Sequence, residues 1–144
     1  MKEIPFRIIA LQVEFFNLTG NRPKEEKPIK ISTSYEFGVN VDEHVVMARL
    51  SYKYLQNDKE LLYMSLISTF DVKPEAFSAM ISGNKFTLEP FFSQYLSTIN
   101  VGAARGEIHA RCEQAQSELA KIVLPPINLT EALPDPIEID LSRQ

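Results

Sequence analysis

The segment that most constrains the fold is IKISTSYEFGV, residues 29–39, because its side chains alternate almost without a break. Successive side chains of an extended strand point to opposite faces, so this alternation separates an apolar set from a polar set. One apolar and one polar face are typical of an antiparallel strand that covers a core with only one side. The set expected to face the core is Ile29, Ile31, Thr33, Tyr35, Phe37 and Val39.

Three further segments, 4–17, 44–56 and 59–72, also have strand character. The last two flank Asn57-Asp58, and both of these residue types tolerate the left-handed backbone of a tight turn. Strands joined by short loops need no crossover helix, which favours an antiparallel over a parallel sheet. The first half of the chain therefore predicts a four-stranded antiparallel β-meander.

The pattern becomes helical after Pro74. Residues 88–100 carry large apolar side chains at helical spacing, and residues 101–116 continue the helix with Ala, Glu, Arg and Gln. Leu124-Pro-Pro126 ends this region, and residues 134–144 are expected to form a flexible tail. We predict an α+β fold of one domain, residues 1–133, with the C-terminal helices packed on one face of the sheet.

Composition limits the classes of function. With 144 residues and a net charge of −4, the chain is long enough for one core but lacks the basic excess that nucleic-acid binding requires. Cys112 is its one cysteine, which excludes an intramolecular disulfide and a zinc site built on several thiolates. Charged residues interrupt the first 16 residues too often for a signal peptide, and no apolar run is long enough to cross a bilayer. We expect a cytoplasmic protein without membrane insertion.

Signatures of catalysis are missing from the sequence. It contains no GxSxG elbow, Walker loop or dinucleotide-binding glycine pattern, and its acidic residues do not form a spaced pair. His109 and Cys112 lie three apart on the predicted helix and could form a base and a thiol or part of a metal site, but a metal needs further ligands. We predict a binding protein with no cofactor and no metal, and keep an enzyme using this pair as an alternative.

Two features point to binding. Glycines at 102 and 106 either bend the helix or let another backbone approach closely, at a cost of about 1 kcal/mol each relative to alanine. The chain also has 9 Phe and 5 Tyr, more than one thin core obviously needs. Either all of these aromatic side chains belong to the core, or some of them line an apolar groove or an oligomer interface.

The order of elements and the last third of the chain resemble the SecB family of protein-export chaperones. The resemblance covers nearly the whole chain. It rests on the four strands, on FDVKPEAF (70–77), on VGAARGEI (101–108), and on LPPINLTEAL (124–133). The last run resembles the family's Pro-apolar-Asn/Asp-apolar-x-x-Leu signature before the second helix, with Pro126, Ile127, Asn128 and Leu129 at the matching positions and Leu133 one position beyond that of the signature's leucine.

The resemblance implies an ATP-independent holdase, a tetramer built as a dimer of dimers, which keeps non-native or presecretory polypeptides unfolded in apolar grooves. In that family the first strand and the long helix form subunit contacts, which assigns this role to residues 6–16 and 98–116. It also implies delivery of clients to the export motor ATPase, which docks on acidic residues of the sheet that have no residue-by-residue match here.

These expectations select two groups of residues. The predicted polypeptide-binding residues are Phe37, Val39, Phe86, Phe91, Phe92 and Tyr95. The predicted subunit-interface residues are Phe15, Gly102, Arg105, Gly106 and His109. Two other functions fit the same pattern: a dedicated chaperone for a toxin–antitoxin client, and a small-molecule-binding α+β domain whose helices enclose a cavity.

Overall fold

A computed structural model describes residues 4–24 and 27–143. It contains a four-stranded sheet, a three-stranded sheet and one long helix, so the predicted α+β class is confirmed. The strands of the large sheet are β1 (Phe6–Leu18), β2 (Lys30–Asn40), β3 (Val45–Gln56) and β4 (Lys59–Val72). The remaining elements are α1 (Pro74–Ala79), β5 (Ile81–Ser82), β6 (Lys85–Leu88), α2 (Pro90–Gln114), α3 (Leu129–Ala132) and β7 (Ile137–Asp140).

The large sheet is antiparallel throughout, in the order β1-β4-β3-β2. β2, β3 and β4 follow one another as hairpins, as the meander predicts. β1 pairs with β4 instead of β2, so the connection from β1 to β2 gives the sheet a Greek-key order. The Gln56 side chain ties this connection to the end of β3 by hydrogen bonds to the backbone of Lys24 and Lys27.

The turn between β3 and β4 forms where the sequence predicts it. Gln56 pairs with Lys59, which leaves Asn57 and Asp58 as a two-residue loop with φ of 52° and 62°. Two successive positive φ values match the right-handed twist of the flanking strands. This turn fixes the register of the two central strands.

α2 lies over β3 and β4 and covers one face of the sheet with two apolar clusters. The tyrosine cluster contains Tyr52, Tyr54, Ile108, Cys112 and Leu119, and the phenylalanine cluster contains Val39, Phe70, Phe77, Phe86, Leu88, Phe92 and Leu96. Between them the buried Asn100 amide donates to the Ala48 carbonyl, at 3.0 Å, and its carbonyl oxygen accepts a hydrogen bond from Ser68. Paired in this way, the polar side chain is tolerated in the core.

The prediction of a flexible tail over residues 134–144 is wrong for its central part. Ile137–Asp140 form β7, which pairs antiparallel with β6 and completes the small sheet β5-β6-β7. The sequence Ile-Glu-Ile-Asp alternates, so one side of β7 can pack on the phenylalanine cluster while the other is solvated. Its partner lies about 50 residues away in the sequence, beyond the reach of a local pattern.

Candidate functional site

The most unusual surface of the described residues runs along β1. Side chains exposed there include Ile8, Ile9, Leu11 and Phe15, with Ile9 and Phe15 each 52% exposed. β1 is an edge strand, so these side chains accompany unpaired backbone donors and acceptors. An apolar edge of this kind is a template for pairing with another chain.

The backbone pairing shows how β1 exposes apolar side chains on both faces. Ile8 and Leu11 lie opposite Phe70 and Ser68 and so point to the helix-covered face, but α2 lies over β3 and β4 and leaves them uncovered. Register shifts between Ile8 and Ala10 and between Val13 and Phe15 change which side chains point outward. Phe15, opposite Ser65, points to the other face.

The start of α2 extends this apolar surface. Tyr95 is 59% exposed, and its ring lies 5.5 Å from the ring of Phe6 at an interplanar angle of 84°. Phe91 is 40% exposed, whereas its neighbour Phe92 is only 2% exposed, because successive helical side chains point about 100° apart. The first two turns of the helix therefore place two aromatic side chains in solvent beside β1.

The structure divides the predicted polypeptide-binding residues into two groups. Phe91 and Tyr95 are exposed and Phe37 is half-buried, so these three are accessible on the described surface. Val39, Phe86 and Phe92 are buried in the phenylalanine cluster. The three buried side chains cannot contact a client unless an element that covers them moves.

The predicted interface residues of α2 lie on its outer side. Gly102 and Gly106 are exposed positions inside one continuous helix, and outside the helix's own adjacent residues no described atom lies within 4 Å of where a Cβ would stand on either residue. The exposed His109 lies 3.2 Å from the Glu113 carboxylate, and Arg105 is half-buried beside it. Any close approach to the two glycines therefore comes from outside this chain's described residues.

The uncovered face of the sheet has a charged centre. Arg49 on β3 contacts Glu14 on β1, at 2.8 Å and 3.3 Å, and Glu36 on β2, at 3.5 Å. The hydrogen bond from Arg49, aided by one from Ser65, holds the pKa of Glu14 below its usual range. The Glu14 carboxylate in turn raises the pKa of Arg49. This cluster connects the two edge strands across the sheet.

Two clefts flank the loop that follows α2. One, of about 180 Å³, is lined by Tyr54, Arg105, His109, Ile122 and Val123 among others. The second, of about 290 Å³, lies between residues 18–23 and residues 116–119. Tyr54, which lines the first cleft, and Tyr52 are buried, and their hydroxyls have no hydrogen-bond partner among the described residues. Burial raises the pKa of Tyr52 to about 12.

His109 and Cys112 do not form a common site. Cys112 is fully buried in the tyrosine cluster, where desolvation raises the pKa of its thiol, whereas His109 is exposed. A raised pKa keeps a thiol protonated and a poor nucleophile. Among the described residues no three His, Cys, Asp or Glu side chains could hold a metal ion together.

Among the described residues, none of the helices has the length and hydropathy that a membrane crossing requires.

The sequence prediction places residues 6–16 in a subunit interface and names Phe15 individually, but it does not single out Ile8, Ile9 and Leu11 as exposed side chains of β1. The signal was present, since Ile8-Ile9-Ala10-Leu11 is a run without alternation. In an edge strand such a run puts apolar side chains on both faces.

The sequence matches no model of a known protein family and no curated protein. The structure is similar to that of Mycobacterium tuberculosis Rv1957, described as a SecB-like chaperone in complex with a ChAD peptide from the Rv1956 HigA1 antitoxin. The TM-score is 0.57 at 8% sequence identity, over 85% of this chain and 91% of that one. The chain therefore has a SecB-like fold.

Proposed function

We propose that this protein is an ATP-independent holdase, a chaperone that binds non-native polypeptides in extended form and keeps them from aggregating. The observation that carries the proposal is the apolar surface formed by Phe91 and Tyr95, two exposed aromatic side chains in the first turns of α2. Contiguous apolar surface on a soluble domain marks a place where another macromolecule binds. The SecB-like fold supports a polypeptide as that macromolecule.

The chemistry of this surface suits a client of variable sequence. The partly exposed side chains Phe91 and Tyr95 would each gain roughly 1 kcal/mol on being covered, since full burial of a large apolar side chain is worth about 1.5–3 kcal/mol. Where a client also pairs with a strand edge, backbone hydrogen bonds add affinity that does not depend on its side chains. Together they give affinity with little sequence preference.

Self-association belongs to the same proposal. We infer a tetramer, a dimer of dimers, in which β1 and the outer side of α2 contact neighbouring subunits. The exposed Gly102 and Gly106 support this, because no described side chain fills the space above them. Phe91 and Tyr95, at the other end of α2, are then the accessible residues for a client. A cytoplasmic location stays a prediction from the composition of the chain, and docking of an export motor ATPase stays one from the resemblance.

The proposal is tested by diluting a chemically unfolded, aggregation-prone protein into buffer without ATP and following light scattering. An excess of this chain should suppress most of the aggregation. The double variant Phe91→Ser/Tyr95→Ser should lose at least half of that suppression. Val41→Ser, which removes an exposed apolar side chain in the turn after β2, is the matched control and should keep it. No suppression by the unmodified chain would refute the holdase.

One observation favours a more specialised role. The similar Rv1957 structure is described with a peptide from an antitoxin, so a single dedicated client is the second candidate. Titration with a panel of unrelated unfolded proteins distinguishes the two. A general holdase binds most of them within about tenfold in affinity, whereas a dedicated chaperone binds almost none.

The small-molecule alternative receives less support. The cleft lined by Tyr54 and Arg105 has about 180 Å³, below the roughly 300 Å³ at which drug-sized sites begin. The cleft beside residues 18–23, at about 290 Å³, is near that limit. A depression of about 420 Å³ beside Phe15 and Arg49 exceeds it but lies open on the sheet surface and encloses no ligand-sized cavity. Native mass spectrometry tests this alternative, because it predicts a monomer that retains a small ligand.

A further inference from the structure

The last strand of the chain lies on residues that the sequence assigns to polypeptide binding. In β7, Ile137 and Ile139 pack against the phenylalanine cluster, opposite Leu88 and Phe86 of β6. The same cluster contains Val39, Phe86 and Phe92, with Phe37 packed beside it. Four of the six predicted polypeptide-binding residues therefore belong to, or border, the cluster that β7 helps to cover.

β7 binds there in the way an extended peptide binds a sheet edge. Its four residues pair with Lys85–Leu88 in antiparallel register, and alternate side chains point into the cluster and into solvent. On the solvent side, Lys85 Nζ lies 3.3 Å from a Glu138 carboxylate oxygen. Strand addition of this kind obtains affinity from the backbone and selectivity from alternate side chains.

The contacts of β7 suit exchange with another segment. Ile137 and Ile139 are only half-buried, and Glu138 and Asp140 are exposed. The Lys85–Glu138 pair is more than half exposed on both sides, so it contributes at most about 1 kcal/mol. Short segments with few buried side chains open at much lower free energy than the whole domain. Opening would uncover the β6 edge together with Phe86 and Leu88, both fully buried in the closed chain.

We propose that the edge of β6 is a strand-accepting surface for an extended polypeptide carrying two aliphatic residues two positions apart with an acidic residue between them. β7 is this chain's own occupant of that surface, and a client displaces it. The inference rests on the proposed function, since it names a second surface of the same polypeptide-binding protein. The aliphatic side chains would pack on Phe86 and Leu88, and the acidic one would pair with Lys85.

A reversible lock tests the proposal in the full chain. Thr87 and Glu138 lie opposite each other on the outer side of β6 and β7, so Thr87→Cys/Glu138→Cys can join the two strands by a disulfide. Cys112 is fully buried and stays unchanged. The probe is a fluorescent peptide with the sequence of residues 134–142, and the control peptide replaces both isoleucines by serine.

The reduced variant should bind the probe at least tenfold more tightly than the oxidised one, and neither should bind the control peptide. Equal binding in the two states, including none in either, would overturn the inference. A second variant, Ile137→Ser/Ile139→Ser, loosens β7 without a disulfide and should raise probe affinity several-fold. Its matched control is Val123→Ser, which removes a side chain that is 83% exposed elsewhere and should not change it.

The aggregation assay, repeated with the reduced and the oxidised Thr87→Cys/Glu138→Cys variant, tests this inference separately from the proposed function. Suppression by the reduced but not the oxidised variant supports both. Equal suppression in the two states leaves the holdase standing and overturns the role of the β6 edge. No suppression in either state, nor by the unmodified chain, refutes the holdase itself.

Discussion

The two edge strands of the large sheet differ in chemistry although they border the same core. β2 pairs with β3 in one unbroken register, and its most exposed side chains are polar, as in Lys30, Ser34 and Glu36. β1 pairs with β4 through two register shifts and exposes Ile9 and Phe15. Polar residues along an edge ordinarily protect a sheet from pairing with other chains.

The difference indicates that the two edges have different tasks. Both strands end the sheet, but β1 carries exposed apolar side chains along its edge and β2 carries polar ones. β1 lies beside an exposed aromatic residue of α2, because Phe6 contacts Tyr95. The asymmetry is therefore the physical basis for placing association on one side of the subunit.

A lysine on each edge tests this asymmetry most directly. Leu11→Lys should lower the solution mass from that of the proposed tetramer to that of a smaller species, because an interface cannot bury an unpaired charge without a cost of several kcal/mol. Leu11 is partly exposed, so the subunit itself should stay folded. Light scattering coupled to size-exclusion chromatography measures the mass.

Ser34→Lys on β2 is the matched control for Leu11→Lys, since Ser34 is also an exposed edge residue. It should leave the mass unchanged. An unchanged mass for Leu11→Lys, with circular dichroism showing a folded chain, would contradict the role of β1. A lower mass for Ser34→Lys would contradict the assignment of β2 as a closed edge.

Arg49 forms ion pairs with both edge strands, so the contribution of each pair to the free energy of unfolding can be compared. Arg49 makes two hydrogen bonds to the Glu14 carboxylate on β1, at 2.8 Å and 3.3 Å, but only one to Glu36 on β2, at 3.5 Å. We expect Arg49→Ala to lower the free energy of unfolding by about 1 kcal/mol, as for other partly exposed ion pairs. Urea denaturation measures the loss.

Double-mutant cycles divide that loss between the edges. Arg49→Ala combined with Glu14→Gln should give a coupling of about 0.5–1 kcal/mol, and combined with Glu36→Gln a value near zero. Equal couplings would show that Arg49 stabilises both edges alike and that the two strands differ only in their exposed apolar residues.

The sequence predicted the elements of the large sheet well, because the signals there are local. The alternation over residues 29–39 places β2 within one residue, and Asn57-Asp58 forms the expected turn. The position of β1 beside β4 and the pairing of β7 with β6 depend on partners far away in the sequence. No local pattern reports such contacts.

The candidate site was predicted less completely for a related reason. Composition shows an excess of aromatic residues but not which of them the tertiary structure covers. Phe91 and Phe92 are adjacent in sequence, and only the direction of α2 relative to the sheet makes one exposed and the other buried. Phe86 is predicted to contact a client, but it is fully buried, and Ile139 of β7 pairs opposite it. The sequence predicts a flexible tail where β7 forms, so it does not indicate this cover.

The smallest predicted effect concerns acid. Arg49 holds the pKa of Glu14 in the folded chain below its usual 4.5, so the folded state binds a proton less readily than the unfolded one. The stabilisation is thus complete above about pH 4.5 and is lost as pH falls through the folded-state pKa. In Glu14→Gln this pH-dependent loss should be absent, so the free energy of unfolding should fall less on acidification than in the unmodified chain. The difference should be below about 1 kcal/mol because the pair is partly exposed. Arg49→Ala should flatten the urea-derived profile to a similar extent, and a profile unchanged in both variants would show that the Glu14–Arg49 contact does not hold β1 in solution.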